Sequence, residues 1–209
     1  MSDSGLTLFL VDDDAAIRSS LSRSLRRRGY LVESFASASE FLRIASPELD
    51  GVLLLDYGMP GMNGLELQAR LNDTGIRLPV IFITGHGGVP ESVQAIKGGA
   101  VDFLEKPFHP EVLIDRIEIA LTLATELRAR REGRRETRAR FGRLTLREME
   151  IVSHMVANPS ATSSKEVGAF LGISPRTVDH HRARILEKLQ IRSVPELIAL
   201  AGKTGTETG

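Results

Sequence analysis

Hydrophobic positions along the chain follow two different rules. Up to about residue 121, short runs of mostly apolar residues alternate with stretches of helical spacing. The runs are 6–11, 30–35, 51–55, 79–83 and 101–104. Apolar side chains on consecutive residues suit a strand covered on both faces. Between the first two runs, Ile17, Leu21 and Leu25 recur at four-residue spacing and predict a helix, with Gly29 after three arginines as its end. Five strands alternating with helices predict βαβ units and a parallel sheet, in which ligands sit beyond the carboxyl ends of the strands.

The second half predicts no strand. From Pro110 to about Arg140 the pattern is helical. Leu113, Ile117, Ala120, Ala124 and Leu127 alternate four- and three-residue steps, which fits a coiled-coil seam or, more simply, the packed face of the first domain's last helix up to about Leu121. Beyond it lies an exposed helical linker with a break expected at Gly133. Capping boxes at Thr145…Glu148, Ser163…Glu166 and Ser193…Glu196 predict three helix starts, and Ser174-Pro175 predicts a fourth. The expected core of this small helical domain is Val167, Phe170, Leu171, Ile173, Val178, Ile185, Leu189 and Ile191. The tail 202–209 reads as disordered.

Composition changes this picture little: 209 residues, 42% apolar and 26% charged, describe an ordinary folded protein. The absence of cysteine excludes a disulfide framework, a thiolate zinc site and a cysteine nucleophile. No apolar run approaches the ~18 residues of a membrane span, and no secretory signal is legible at the start, so no membrane partner and a cytoplasmic location are expected.

Charge changes the picture more. The total is zero, which taken whole speaks against nucleic acid. By segment, residues 1–121 hold 11 basic and 17 acidic groups, residues 122–143 hold eight arginines and three glutamates, and residues 144–209 hold eight basic and seven acidic groups. An acidic half joined to a basic half predicts two domains with different partners.

Asp12, Asp13 and Asp14 follow the first strand, Asp56 the third, Thr84 ends the fourth, and Lys106 follows the fifth. Carboxylates gathered at one sheet edge repel and need a cation, and oxygen-only ligands suit Mg2+. With a hydroxyl and a lysine added, the set predicts phosphoryl transfer: one carboxylate attacks phosphorus while lysine and threonine hold the transferred oxygens. Taken singly, a strand-end Asp is usually a helix cap, and Asp14 is assigned that role. His86 stands two residues after Thr84, either as a base or nucleophile or, as the simpler reading, as an exposed loop residue.

Residues 5–121 resemble a receiver domain of two-component response regulators, through Leu10-Val-Asp-Asp-Asp14, Asp56-Tyr-Gly-Met-Pro-Gly-Met-Asn-Gly64, Ile83-Thr-Gly85 and Lys106-Pro-Phe108. The resemblance implies a flavodoxin-like, five-stranded, doubly wound sheet. It implies that Asp56 accepts phosphate, that Asp12, Asp13, Asp56 and the Gly58 carbonyl hold Mg2+, and that Thr84 and Lys106 bind the phosphoryl oxygens. Phe103 falls at the family's aromatic switch position or is a plain packed ring. Lys106-Pro107 resembles a bond that is cis in that family.

In the helical half, two short helices joined by Leu171-Gly172-Ile173-Ser174 predict a helix-turn-helix, whose second helix would enter the major groove. A small bundle with a solvated charged face is the alternative. The run Leu171-Gly-Ile-Ser-Pro-Arg-Thr-Val178 with Lys165-Glu-Val167, His181-Arg182 and Lys188-Leu189 resembles the LuxR-type DNA-binding domain. The whole chain thus resembles the NarL/FixJ family, nearer the FixJ type. The resemblance implies a receiver over 1–122, an Arg-rich linker over 123–143 and a four-helix DNA-binding domain over 144–201; the linker itself reads as a solvated spacer rather than a direct DNA contact. Asp179, His180 and Ala183 would face base edges. Arg176, Thr177, Arg182 and Lys188, with Ser164 and Lys165, would meet phosphates. The turn at 158–163 is longer than usual for the family.

The expected mechanism runs from a sensor histidine kinase through phosphorylation of Asp56 and homodimerisation to promoter DNA, with RNA polymerase as a further partner. Self-phosphorylation and autodephosphorylation would be the only catalysis. A constitutive DNA-binding protein and a non-DNA interaction protein are the competing classes. The intact Asp56, Thr84 and Lys106 argue against the first, and a steep salt dependence of DNA binding would exclude the second.

Overall fold

The apolar runs form five strands: β1 (Thr7–Val11), β2 (Leu31–Phe35), β3 (Gly51–Asp56), β4 (Val80–Thr84) and β5 (Asp102–Glu105). The computed structural model describes residues 5–85 and 89–204. The sheet is parallel, in the order β2-β1-β3-β4-β5. Each strand is followed by a helix: α1 (Ala15–Arg27), α2 (Ala38–Leu42), α3 (Gly64–Asp73), α4 (Val89–Lys97) and α5 (Pro110–Phe141). Alternate strand residues point to opposite faces. Leu8, Leu10, Leu54 and Ile83 pack with Leu25 of α1 and with Leu113, Ile117 and Ala120 of α5. Phe9, Leu53, Leu55 and Phe82 pack with Phe41, Leu67 and Ala95 from α2, α3 and α4. The sheet is therefore doubly wound.

This order places the carboxyl ends side by side. Val11 lies opposite Leu55, so Asp12 emerges beside Asp56. Asp56 lies opposite Ile83, and Thr84 opposite Glu105, so Lys106 leaves the same edge. Asp14 caps α1, its carboxylate accepting from the N–H groups of Ala16 and Ile17. Those two bonds, Ile17 first, hold its pKa below the ordinary 3.8.

Two compact units are divided between Ala129 and Arg130. α5 is continuous over 32 residues, and the break expected at Gly133 does not occur. One glycine costs about 1 kcal/mol in a helix. The neighbouring arginines and alanines are good helix formers, and Glu136 pairs with Arg140 one turn on at 2.6 Å. The packed face of α5 reaches Ala124, beyond the expected Leu121.

The second unit holds the last turns of α5 with α6 (Leu146–Ala157), α7 (Ser164–Leu171), α8 (Pro175–Leu189) and α9 (Val194–Thr204). Thr145 and Ser163 form complete capping boxes with Glu148 and Glu166, and Ser174 caps α8 ahead of Pro175. The third expected box closes on one side only: Ser193 accepts from the Glu196 N–H, but the Glu196 carboxylate takes the N–H of Arg192. Phe141, Ile151, Met155, Val167, Val178, Ile185, Leu189 and Leu197 form the core. Phe170 does not join it: it is 70% exposed and stacks on His154, with ring centroids 4.2 Å apart. The helical period explains this, since Phe170 lies three residues from buried Val167 but on the far edge of a stripe only two positions wide. α9 continues through Gly202 to Thr204, where a disordered tail was expected; residues 205–209 lie outside the described residues.

Candidate functional site

At the carboxyl edge of the sheet, the Lys106 ammonium lies 3.1 Å from Asp12 Oδ2 and 3.3 Å from Asp56 Oδ1. Both carboxylates are buried, Asp12 at 3% and Asp56 at 8% exposure. The other Asp56 oxygen, Oδ2, accepts the Gly58 N–H at 2.8 Å. Asp12 is fixed in turn by the Asp14 N–H on Oδ1, and its carbonyl accepts from the Arg18 guanidinium. Thr84 is 1% exposed at the end of β4. The approach of α3 is equally tight: a Cβ on Gly64 would stand 2.6 Å from the Asp56 carbonyl oxygen and 2.8 Å from the Phe82 ring, so only glycine fits here.

Burial is the main influence on Asp56 and raises its pKa above 3.8, aided by the Asp12 charge and opposed by Lys106 and the Gly58 N–H. Two buried carboxylates sharing a single ammonium leave unbalanced negative charge at this edge. The Asp13 side chain stands exposed beside them. Among the described residues no three His, Asp or Glu side chains form a ready-made metal cage. An oxygen-only set with few protein donors fits Mg2+, which keeps several of its own waters.

Phe103 is half-buried, its ring 6.0 Å from that of Phe82. The Lys106-Pro107 bond is cis. His86 lies outside the described residues.

In the helical unit, α7 and α8 pack with the turn at 172–174 between them. A Cβ on Gly168 would stand 2.7 Å from the Ile173 carbonyl oxygen, so this glycine permits the tight turn. Lys165, Arg176, Thr177, Asp179, His180 and Ala183 are exposed. Several of the expected contact residues are also engaged within the fold, Thr177 among them, its hydroxyl 2.8 Å from that of Ser174. The Ser164 hydroxyl donates to the Asp179 carboxylate and so joins α7 to α8. Arg182 donates to the Thr162 carbonyl, anchoring the long turn. Lys188 donates to the buried carboxylate of Glu148 at 2.6 Å. By sequence Glu148 is only a cap residue. Its four-residue distance from buried Val152, on the packed side of α6, was the signal that it faces inward.

Comparison with known proteins agrees with both halves of this geometry. Residues 8–118 match the response regulator receiver domain, and residues 143–201 match the bacterial regulatory proteins of the luxR family. The transcriptional regulatory protein FixJ of Rhizobium meliloti is 42% identical over 201 residues, covering 95% of this chain and 97% of that protein. The chain belongs to the FixJ-like response regulators. The response regulator protein TodT of Pseudomonas putida is 38% identical over 198 residues, covering 95% of this chain and 86% of its own. The solved structure of the response regulator StyR superposes with a TM-score of 0.77 at 41% identity, covering 94% of this chain and 98% of that one. Full-length FixJ from B. japonicum gives 0.56 at 37% identity, covering 96% and 98%.

FixJ-like response regulators are transcription regulators of two-component systems and not conventional enzymes. Their receiver implies a histidine kinase as partner, and the LuxR-type domain implies DNA binding. Among the described residues no helix is long and apolar enough to cross a membrane.

Proposed function

We propose that this regulator is switched by phosphorylation of Asp56 and acts on promoter DNA as a dimer. The observation that carries the reading is the Lys106 ammonium bridging the buried Asp12 and Asp56 carboxylates. An Asp56 oxygen attacks the phosphorus of a phosphohistidine on the kinase. A P–O bond forms, the P–N bond breaks, and the imidazole leaves. Asp12, Asp13, Asp56 and the Gly58 carbonyl would hold Mg2+, which would neutralise charge on the transferred oxygens. Lys106 turns from its carboxylates to a phosphoryl oxygen, and the Thr84 hydroxyl takes another. Asp56 gains roughly two negative charges and three acceptor oxygens. Movement of Thr84 makes room for the half-buried Phe103 to turn inward, biasing two receiver states. Hydrolysis of the acyl phosphate at the same site returns the switch.

The active receiver pairs through its α4–β5–α5 face. Val93 and Ile96 on α4 and Val112, Ile119 and Leu123 on α5 support this, all between 36% and 47% exposed. Two copies of α8 then enter successive major grooves, with His180 and Ala183 toward base edges and Lys165, Arg176 and Thr177 at phosphates. Asp179, Ser164, Arg182 and Lys188 hold α8 in place. Contact with RNA polymerase would follow at the promoter, within the cytoplasm. The test is Asp56→Asn with a radiolabelled phosphodonor: label incorporation and phosphorylation-dependent DNA affinity both disappear. Unchanged incorporation and affinity would remove the switch assignment.

A further inference from the structure

The helical unit is poorly supplied with cations for DNA. Residues 144–209 carry eight basic groups against seven acidic. Three of the eight are spent inside the fold: Lys188 on Glu148, Arg182 on the Thr162 carbonyl, and Arg147 on Glu150 and the Leu171 carbonyl. Phosphate contacts dominate DNA affinity, so the unit needs cations from elsewhere.

The last turns of α5 hold them. Arg131, Arg134, Arg135 and Arg138 fall at i, i+3, i+4 and i+7, which is one face of a helix. Arg134, Arg135 and Arg138 are exposed and pair with no acid among the described residues. The acids of this stretch, Glu132 and Glu136, fall off that face, and Glu136 is taken by Arg140 at 2.6 Å. A mere solvated spacer would intersperse signs, since arginines at these spacings repel one another. Segregation on one face instead prepares the helix for a polyanion. The helix is also anchored to the helical unit: Phe141 is buried in its core, and Arg140 donates to the Leu189 carbonyl at the end of α8, the helix that carries the exposed Arg176, Thr177, His180 and Ala183.

We infer that the Arg131–Arg134–Arg135–Arg138 stripe is a second DNA contact, which grips the phosphate backbone alongside the helix-turn-helix without reading sequence. The stripe is about 10 Å long at 1.5 Å rise per residue. Duplex DNA offers one charge per ~1.7 Å of axis, so the stripe meets several phosphates at once. The inference rests on the reading that the helical unit binds DNA.

The experiment measures affinity of the full-length protein for a labelled random-sequence duplex across a salt series. Arg134→Gln/Arg135→Gln/Arg138→Gln keeps helix propensity while removing three charges, and circular dichroism checks its fold. The log–log salt slope should flatten by about 2–3, at ~0.9 per lost phosphate contact, with affinity down on the order of 100-fold near 0.1 M salt. A variant slope and affinity equal to the parent's overturn the stripe while leaving the helix-turn-helix reading intact. A second variant, Ala183→Glu in α8, should weaken binding to the same duplex yet keep the stripe's share of the slope, so that adding the three Arg→Gln substitutions flattens it by the same amount; no further flattening would overturn the stripe. If instead the parent shows no salt-dependent affinity for duplex at all, the stripe and the DNA reading fall together.

Discussion

The Lys188 ammonium lies 2.6 Å from the buried Glu148 carboxylate, joining the start of α6 to the end of α8. Glu148 also closes the Thr145 capping box, accepting the Thr145 N–H at 2.7 Å. Burial opposes its ionisation, but Lys188 and the Thr145 groups outweigh that and hold its pKa below 4.5. Lys188→Ala strands a buried charge and should cost about 1–3 kcal/mol. Glu148→Gln should cost less, because glutamine still serves the capping box and the half-exposed lysine can reach water. A lowered folded pKa gives stability that is full above 4.5 and lost as pH falls through the folded value. Urea titrations at neutral and acid pH should therefore converge for parent and Lys188→Ala only on the acid side.

Much of the receiver was legible because its physics is local. Consecutive apolar residues announced doubly covered strands, and sheet order alone then brings Asp12, Asp56, Thr84 and Lys106 to one edge. The helix starts at Thr145, Ser163 and Ser174 were equally legible, since a cap is a short-range contact. What escaped depended on tertiary partners. Whether Lys188, Arg182 or Ser164 reaches outward is decided by Glu148, by the Thr162 carbonyl and by Asp179, which lie 40, 20 and 15 residues away in sequence. The continuity of α5 through Gly133 was hidden for another reason, because one weak residue does not outweigh many good ones.

Phe170 tests the boundary between pattern and packing. Sequence periodicity put it in the core, whereas the ring is 70% exposed on His154. Phe170→Ser should therefore change stability by less than about 1 kcal/mol. Leu189→Ala, at a fully buried site, should cost about 2–5 kcal/mol. Denaturant midpoints of the two variants decide it: equal losses would place Phe170 back in the core.

Tyr30, at the entrance to β2, donates its hydroxyl to the Glu118 carboxylate of α5. Burial, then that hydrogen bond and the nearby charge, push the phenol's pKa up to about 12. A raised folded pKa means the neutral phenol contributes stability that is present below 10 and lost between 10 and about 12. The chain has two tyrosines, so phenolate absorbance should show one group titrating near 12, and Glu118→Gln should bring that step down. Tyr30→Phe should remove the step and cost at most about 1 kcal/mol at neutral pH, since the site is only half-buried.

The chemistry at Asp56 carries its own pH signature. Its carboxylate must be ionised to attack phosphorus, and burial together with the Asp12 charge raises its pKa above 3.8. In the metal-free protein, the Asp56 carboxylate followed by carbon NMR should therefore titrate with a midpoint above 3.8. Asp12→Asn removes the neighbouring carboxylate that disfavours ionisation, so the midpoint should move down. Lys106→Met removes the ammonium that favours ionisation, so its midpoint should move up. Opposite shifts of these two variants, read from the same metal-free titration, follow only if both groups act on Asp56 through the charges seen here. Shifts of the same sign would mean that each substitution acts by disturbing the fold.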